Sequence, residues 1–196
     1  MKIDFLRIAG IVGILLSIQS CGEVDLIELN DFDEQLQTDR RMIDDYISEK
    51  NLPNVDSTTS GIRYAIMDLG EGAEPVPNEF VSVDYYNQDL EGISYGSNIR
   101  EVADTSVFVP INQAFEPIVF TYSQSGWTLD FVSFADRLVG DGLKEAIGAA
   151  FLEMKEGGHV MVFLPSSQAF GSNPEQGSPV PANTVLIYHI FLREVL

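Results

Sequence analysis

The fold is decided by FLPSSQAFGSN, residues 163–173, and the nearby GSPVPANTVLIYHIFL, residues 177–192. The first stretch begins at the end of a predicted strand, HVMVFLP, and continues into a serine-rich loop that carries Phe170. The second leads into another predicted strand, TVLIYHIFLREV, which is rich in β-branched and aromatic residues. Two strands joined by a long loop are therefore expected at the C-terminal end of the chain.

Moving outward from this region, short strands surround one helix. GIRYAIMDLGEG alternates apolar residues at Ile62, Tyr64 and Ile66, and further strands are predicted from Phe80 onward and over residues 116–122. DGLKEAIGAAFLEMKEGG predicts the helix, from an Asp141 N-cap to the glycines at 157 and 158. This order predicts an α+β fold in which an antiparallel sheet wraps on one helix.

A hairpin is predicted at LEGISYGSN, residues 90–98. Glu91 and Gly92 form its turn, and the alternation places Ile93 and Tyr95 on one face. Gly96 then follows the aromatic residue, where a polar or charged side chain could have stood. The hairpin is therefore either a plain connection or the wall of a pocket that lacks one polar group.

The first 20 residues are predicted to be a signal peptide. Lys2 and Arg7 precede an apolar run over residues 8–18 that is too short to span a bilayer comfortably. Cys21, the single cysteine, follows at once, and the segment resembles the lipobox of bacterial lipoproteins, which implies that Cys21 is lipidated. Gly22 in place of aspartate favours the outer membrane, and the alternative is a soluble secreted protein cut nearby.

Residues 21–59 are predicted to be a tether and an N-terminal helix. The tether covers residues 22–33, and Asp31 or Asp33 is expected to cap a helix over residues 35–50. Asn51 and Pro53 are expected to end that helix. One helical face collects the apolar residues Leu36, Ile43, Tyr46 and Ile47. We assign this helix no chemistry.

The charge balance excludes several classes of partner. The chain has 11 Lys and Arg against 30 Asp and Glu, a net charge of −19, so neither nucleic acid nor an anionic lipid surface is an expected partner. His159 and His189 lie on predicted strands without metal-ligand spacing, and no metal or other cofactor is expected. Ser166 and Ser167 have no histidine nearby in the sequence, so they indicate loop capping rather than a nucleophile.

The two stretches quoted first resemble the C-terminal half of FKBP-type peptidyl-prolyl isomerases, and MKEGGHVMVFLPSSQAFG follows that family's sequence of methionine, glycine, strand and loop. VSVDYYNQDLEGISYGSN resembles the family's first pocket strand and turn. The resemblance implies an FKBP-like domain over residues 60–196. Two insertions interrupt it near 98–116 and 123–140, the second containing Trp127.

The resemblance also implies a set of pocket residues. Residues in the catalytic role would be Tyr85, Tyr95, Phe170 and Tyr188. Residues that bind substrate would be Ile118, Val139, Gly140, Leu143 and Val180.

The chain departs from the family at several of these positions. Gly96 stands where competent members usually carry aspartate, and Phe170 lacks the hydroxyl of the usual tyrosine. Leu143 replaces the usual tryptophan, and Ile118 replaces another aromatic residue. The nearest polar replacements in sequence are Ser97, Asn98 and Asp141.

The chemistry that the resemblance implies needs no metal or nucleophile. Rotation about an X-Pro bond has a barrier near 20 kcal/mol, and the twisted amide has less charge separation than the planar one. An apolar pocket therefore binds the twisted state in preference. The expected function is a lipid-anchored envelope isomerase, facing the periplasm or the cell surface, that assists folding of exported, proline-containing polypeptides.

Two other functions are compatible with the sequence. A non-catalytic binding or chaperone module on the same fold is suggested by Gly96 and the two insertions. An assembly component of an envelope complex is the other, with the segment around Trp127 as its contact. The oligomeric state cannot be deduced from the residues.

Overall fold

The computed structural model describes residues 24–76, 78–107, 115–121 and 141–196. The chain divides into two compact units, residues 1–34 and residues 35–196. In the first unit, the described residues are helical. No helix among the described residues is long and apolar enough to cross a membrane. The predicted signal peptide and Cys21 lie outside the described residues.

The described chain contains three α-helices, seven strands and one turn of 3-10 helix over Ser166–Gln168. The helices are α1 (Val24–Lys50), α2 (Arg100–Ala103) and α3 (Asp141–Phe151). The strands are β1 (Val55–Ser57), β2 (Arg63–Asp68), β3 (Phe80–Gln88), β4 (Ser94–Ser97), β5 (Ile118–Thr121), β6 (His159–Leu164) and β7 (Leu186–Val195).

All seven strands form one antiparallel sheet. Its order is β1-β2-β6-β7-β3-β4, and β5 also pairs with β3. The longest pairing joins β3 to β7 and sets Tyr85 opposite Ile190 and Asn87 opposite Tyr188. The predicted α+β fold, an antiparallel sheet wrapped on one helix, is confirmed.

The two faces of the sheet bury different cores. One face packs against α3, which buries Leu143, Ile147 and Phe151 in the core. The same core contains Tyr64 and Ile66 of β2 and Ile62, which directly precedes that strand. The predicted apolar faces of α3 and β2 therefore pack against each other. The opposite face packs against α1 through Ile43, with Tyr46 and Ile47 partly buried beside it.

The N-terminal helix is longer than the sequence predicted. It begins at Val24, so the expectation of a tether over residues 22–33 capped by Asp31 or Asp33 is wrong. The charged run lacks an apolar period, but aspartate, glutamate and leucine carry no strong helix-breaking signal, and no glycine or proline interrupts residues 24–50. The predicted end at Lys50 is confirmed, because Asn51 adopts φ 49° and leaves the helix.

Three further local predictions need correction. Helix α3 ends at Phe151 rather than at Gly157, although Met154 beyond it is still buried in the same core. In the hairpin, Ile93 precedes β4 and is exposed, whereas Tyr95 within β4 is buried, so only Tyr95 packs into the core. Strand β1 was not predicted, because three residues are too few to show a period.

Candidate active site

The described residues predicted for the pocket converge on one side of the sheet. All of them belong to, or pack against, the apolar core between the sheet and α3. We call this set of seven side chains the site cluster: Tyr85, Tyr95, Ile118, Leu143, Phe170, Val180 and Tyr188. Val139 and Gly140 lie outside the described residues, as do Cys21 and Trp127.

Two tyrosines of the site cluster come from the paired central strands. Tyr188 on β7 is fully buried, and Tyr85 on β3 is partly buried against the same core. Burial raises the pKa of Tyr85 to about 12. Burial also raises the pKa of Tyr188 above its ordinary value, and a side-chain hydrogen bond from Asn87 to the phenol acts in the opposite direction. Both phenols therefore stay uncharged at neutral pH.

Tyr95 is held in place by the turn that precedes it. Asp89 Oδ1 accepts the backbone N–H groups of Glu91 and Ile93 at 3.0 and 2.9 Å. Asp89 Oδ2 accepts the Tyr95 hydroxyl at 2.9 Å. Burial, with this hydrogen bond as a second cause, raises the pKa of Tyr95 to about 12. The ring thus packs in the site cluster while its hydroxyl is engaged by the turn.

Phe170 is carried by a loop whose start is anchored to α1. Asp39, with no exposed surface, accepts the Ser166 N–H at 2.8 Å and the Ser166 hydroxyl at 2.6 Å through Oδ2. Its other oxygen accepts the Gln35 amide at 2.7 Å. Ser166 O in turn accepts the Gly171 N–H at 2.7 Å, which closes the loop around Phe170. The N-terminal helix, to which the sequence assigned no chemistry, therefore supports the loop of the site.

Gly96 of β4 lies opposite Asn87 of β3. Apart from its chain neighbours, the described heavy atoms within 4 Å of a Cβ at Gly96 would be Asn87 Oδ1 at 3.5 Å and Nδ2 at 4.0 Å. Those are ordinary van der Waals distances, and Gly96 is not among the residues with positive φ. A side chain at residue 96 is therefore compatible with the backbone, and it would lie against the Asn87 amide.

Asn87 is a buried polar residue that the sequence analysis missed. It is 2% exposed, and its Oδ1 has no hydrogen-bond partner in the described part of the chain. The sequence contained a signal for it. Asn87 lies two residues after Tyr85 and therefore on the same side of β3, where the other inward residues are apolar.

The polar replacements suggested by sequence proximity are engaged elsewhere. Asn98 Oδ1 accepts the Tyr85 N–H at 2.7 Å, and its Nδ2 donates to Glu116 O at 2.9 Å. The Ser97 hydroxyl donates to Tyr85 O at 3.0 Å. Both residues join the backbone of β3 to its neighbours, so neither offers a free polar group to the site cluster. The side chain of Asp141 lies outside the described residues.

The two histidines lie on the other face of the sheet. His159 Nε2 and His189 Nδ1 are 3.2 Å apart, and their rings stack with Phe191 and Tyr86. Burial lowers the pKa of His159 to about 4 and that of His189 to about 3. No group of three metal-ligating side chains occurs among residues 24–76, 78–107, 115–121 and 141–196.

The site cluster forms an uncharged and largely apolar environment. Its rings come from β3, the β4 hairpin, β7 and the loop after β6, and none of its tyrosines ionises near neutral pH. In such surroundings a state with less charge separation is favoured over one with more. Two buried polar side-chain atoms near the cluster lack a partner among the described residues, Asn87 Oδ1 on β3 and Ser167 Oγ in the loop that carries Phe170.

A comparison with protein families gives one match that covers most of the chain. The model of the FKBP-type peptidyl-prolyl cis-trans isomerases matches residues 72–193. This range contains every residue of the site cluster, together with Asn87 and Gly96.

Named relatives include an outer membrane protein and FKBP-type peptidyl-prolyl cis-trans isomerases. An outer membrane protein MIP from Legionella longbeachae is 26% identical over 168 residues, which cover 84% of this chain and 58% of the relative. An FKBP-type peptidyl-prolyl cis-trans isomerase FkpA from Aeromonas hydrophila is 28% identical over 139 residues, covering 70% of this chain and 39% of the relative. The chain thus spans about half the length of the curated relatives it matches, or less.

Two bacterial proteins are among the solved structures to which the chain is similar. A peptidyl-prolyl cis-trans isomerase from Pseudomonas syringae has a TM-score of 0.49 and 22% identity, covering 83% of this chain and 94% of that one. FkpA from Escherichia coli has a TM-score of 0.48 and 17% identity, covering 90% of this chain and 74% of that one.

Proposed function

The chain belongs to the FKBP-type peptidyl-prolyl cis-trans isomerase family, and we propose that it accelerates cis/trans exchange of X-Pro bonds in exported polypeptides. The observation that supports this proposal is that the aromatic and aliphatic side chains implied by the family resemblance lie together in one uncharged site cluster. The catalytic role falls to Tyr85, Tyr95, Phe170 and Tyr188, and the binding role to Ile118, Leu143 and Val180. Val139 and Gly140 complete the binding set in this proposal.

The proposed mechanism rests on differential binding of the twisted amide. The site cluster surrounds the prolyl ring with apolar surface and offers no charge to the planar, more polar ground state. Each tenfold of acceleration requires about 1.4 kcal/mol of preference for the twisted state. Phe170 has no hydroxyl, so the site lacks the hydrogen bond that a tyrosine at this position would donate to a substrate carbonyl. The loss is about 1 kcal/mol, which lowers the rate without abolishing it.

We place the protein in the cell envelope, anchored through a lipid on Cys21 and assisting exported proteins to fold. The apolar run and cysteine near the N-terminus support this location, and one relative is named an outer membrane protein. Metabolic labelling with a fatty-acid analogue tests it. We expect label on the full chain and none on Cys21→Ser, and equal labelling of both would refute the anchor.

The activity is tested by NMR exchange on a short peptide with an apolar residue before proline, using the full chain in detergent. We expect faster exchange than in buffer. Phe170→Ala should slow it at least several-fold, since this partly buried ring packs on the site cluster. Phe80→Ala is the matched control, because Phe80 is 54% exposed and outside the cluster. No acceleration by the parent chain would reject the proposal.

A second candidate, a binding or chaperone module without catalysis, is favoured by the absence of a side chain at Gly96. It predicts that the full chain suppresses aggregation of an unfolded client while leaving X-Pro exchange at its rate in buffer. Gly96→Asp separates the two readings, because acceleration only in this variant would indicate a pocket natively set for binding. Failure to bind a client would count against the second candidate.

A further inference from the structure

Asn87 has a buried side-chain amide in which only one of the two polar atoms has a described hydrogen-bond partner. Asn87 lies in the middle of the sheet on β3, paired with Tyr188 on one side and with Gly96 on the other. Its side-chain hydrogen bond reaches the phenol of Tyr188. Its Oδ1 has no partner among the described residues, and the whole residue is 2% exposed.

The unpartnered oxygen points to the gap that Gly96 leaves. A Cβ on Gly96 would meet only the two Asn87 amide atoms within 4 Å, apart from its chain neighbours, in the part of the chain that the structure describes. Gly96 therefore leaves space next to Oδ1 that no described side chain fills. The gap adjoins the site cluster, because Tyr188, Asn87 and Tyr85 share one face of the paired strands.

Such an atom needs an explanation. A buried acceptor without a donor destabilises the folded state, and most buried polar groups in native proteins are paired. Asn98, in the same hairpin and almost as buried, has both ends of its amide bonded. An apolar residue at position 87 would avoid the unpaired oxygen. A donor from a bound ligand would compensate for it.

On the basis of the proposed function, we propose that Asn87 Oδ1 accepts the backbone N–H of the residue that follows proline in the bound chain. The prolyl nitrogen carries no hydrogen. The following residue lies on the ring side of the X-Pro bond. Rotation about that bond moves X while the ring and the next N–H stay in place, so the contact persists in both isomers and in the twisted state.

This placement makes Asn87 a specificity-determining residue for peptides with a free N–H after proline. A contact made equally in the ground state and the transition state lowers KM without raising kcat. Removing it should therefore raise KM and leave kcat close to its parent value. The amide of Asn87 also takes up the polar role at the hairpin that Gly96 cannot supply.

The test compares two blocked peptides of the type alanine-leucine-proline-phenylalanine, identical except that one is N-methylated on the phenylalanine. With the full chain in detergent, binding is followed by NMR titration and turnover by exchange NMR. The parent should bind the unmethylated peptide roughly 5- to 10-fold more tightly, the equivalent of one hydrogen bond at about 1.4 kcal/mol per tenfold. Asn87→Ala should bind both peptides equally, with kcat for the unmethylated peptide within about twofold of the parent.

Two further variants make the result decisive. Asn87→Asp keeps an acceptor at the same place and should keep the preference, which also covers the case in which Asn87→Ala does not fold. Tyr86→Phe alters the preceding residue, whose ring stacks on His189 on the opposite face, and it should keep the parent preference and turnover. Equal binding of the two peptides by the parent would overturn the inference, even if exchange is accelerated.

The proposed function fails separately from this inference. A parent chain that binds the unmethylated peptide preferentially but accelerates neither would reject the isomerase and support the Asn87 contact. A parent chain that accelerates both peptides with the same KM would support the isomerase and reject the contact. Binding of neither peptide would reject both.

Discussion

Two buried asparagines stand at different points of the β3–β4 hairpin, and they are satisfied to different degrees. Asn98 follows β4 and joins three segments, accepting from the Tyr85 N–H and donating to Glu116 O, with Val83 O and Asp84 Oδ1 also within 3.3 Å of its Nδ2. Asn87 lies within β3 and leaves Oδ1 without a described partner. They are 5% and 2% exposed, so burial does not explain the difference.

The difference separates a structural amide from one available for a ligand. Asn98 exchanges its hydrogen bonds with water for bonds to backbone groups that would otherwise be buried unpaired, so it stabilises the fold. Asn87 gives up hydration of its oxygen and regains nothing from the described protein. Substitutions at the two positions should therefore affect different quantities, the free energy of unfolding at Asn98 and ligand affinity at Asn87.

The largest effect is expected for Asn98→Ala. It leaves the Tyr85 N–H and the Glu116 carbonyl without their partner, and we expect the free energy of unfolding to fall by about 2–4 kcal/mol. Urea denaturation of the full chain measures this. Asn87→Ala should cost about 1 kcal/mol or less, because it also removes an unpaired acceptor. Similar losses of unfolding free energy in the two variants would contradict the view that Asn98 stabilises the fold while Asn87 serves a ligand.

A somewhat smaller loss is expected for Asp39→Asn. Asp39 resembles Asn98 in being fully engaged, with its oxygens accepting from Ser166 and Gln35. Asparagine presents an NH2 group to one of these donors, and we expect a loss of about 1.5–3 kcal/mol with slower X-Pro exchange, because the loop that carries Phe170 loosens. The matched control is Asp44→Asn. Its exposed pair with Arg63 should contribute less than about 1 kcal/mol.

The third effect is a pH dependence of stability that comes from His159 and His189, on the face of the sheet away from the site cluster. His189 Nε2 is another buried atom without a described partner. Both histidines have folded pKa values, about 4 and about 3, below the ordinary 6.5. Above pH 6.5 they are neutral whether the chain is folded or unfolded. As pH falls below 6.5, the unfolded chain binds protons that the folded chain does not, so stability decreases until the folded values are passed.

We expect the free energy of unfolding to fall by about 1–2 kcal/mol between pH 7 and pH 6 from this pair. The double variant His159→Gln, His189→Gln should lack this decrease, and the difference between the two pH profiles excludes contributions from carboxylates. Parallel profiles for the parent and the double variant over this range would contradict the assigned pKa shifts.

The smallest effect is expected for a substitution beside the site cluster, at Gly96. Gly96→Asp places a Cβ at ordinary contact distance from the Asn87 amide, and it should change stability by less than about 1 kcal/mol. If Asn87 already supplies the polar group, Gly96→Asp should raise exchange less than about twofold in the parent and about fivefold in the Asn87→Ala background. Equal factors in both backgrounds would mean that residues 87 and 96 act independently.

Much of the fold could be predicted from the sequence because its signals are local. Alternating apolar residues predicted β2 and β3, and the spacing of Leu143, Ile147 and Phe151 predicted the buried face of α3. The local signals failed where they were weak. The charged segment after Val24 had no apolar period although it is helical, and Met154 continued the apolar spacing of α3 after the helix had ended at Phe151.

The candidate site was only partly predictable, for the same reason. A family resemblance located Tyr85, Phe170 and Tyr188, whose types and neighbours in the chain carry the pattern. It directed attention to Ser97 and Asn98 as polar replacements because they are close to Gly96 in sequence. Strand pairing instead sets Asn87 beside Gly96, nine positions away along the hairpin.

Most of the strands and helices, the apolar residues that form the core and the family pattern could be identified from the sequence alone. Those properties depend on side-chain type and on periods of two or 3.6 residues, which the chain carries locally. Which polar groups are satisfied depends on the tertiary structure. Asp39 meets Ser166 across 127 residues of chain, and Asn87 meets Gly96 and Tyr188 through strand register. Hydrogen bonds extend about 3 Å, so they depend on positions that only the complete fold brings together.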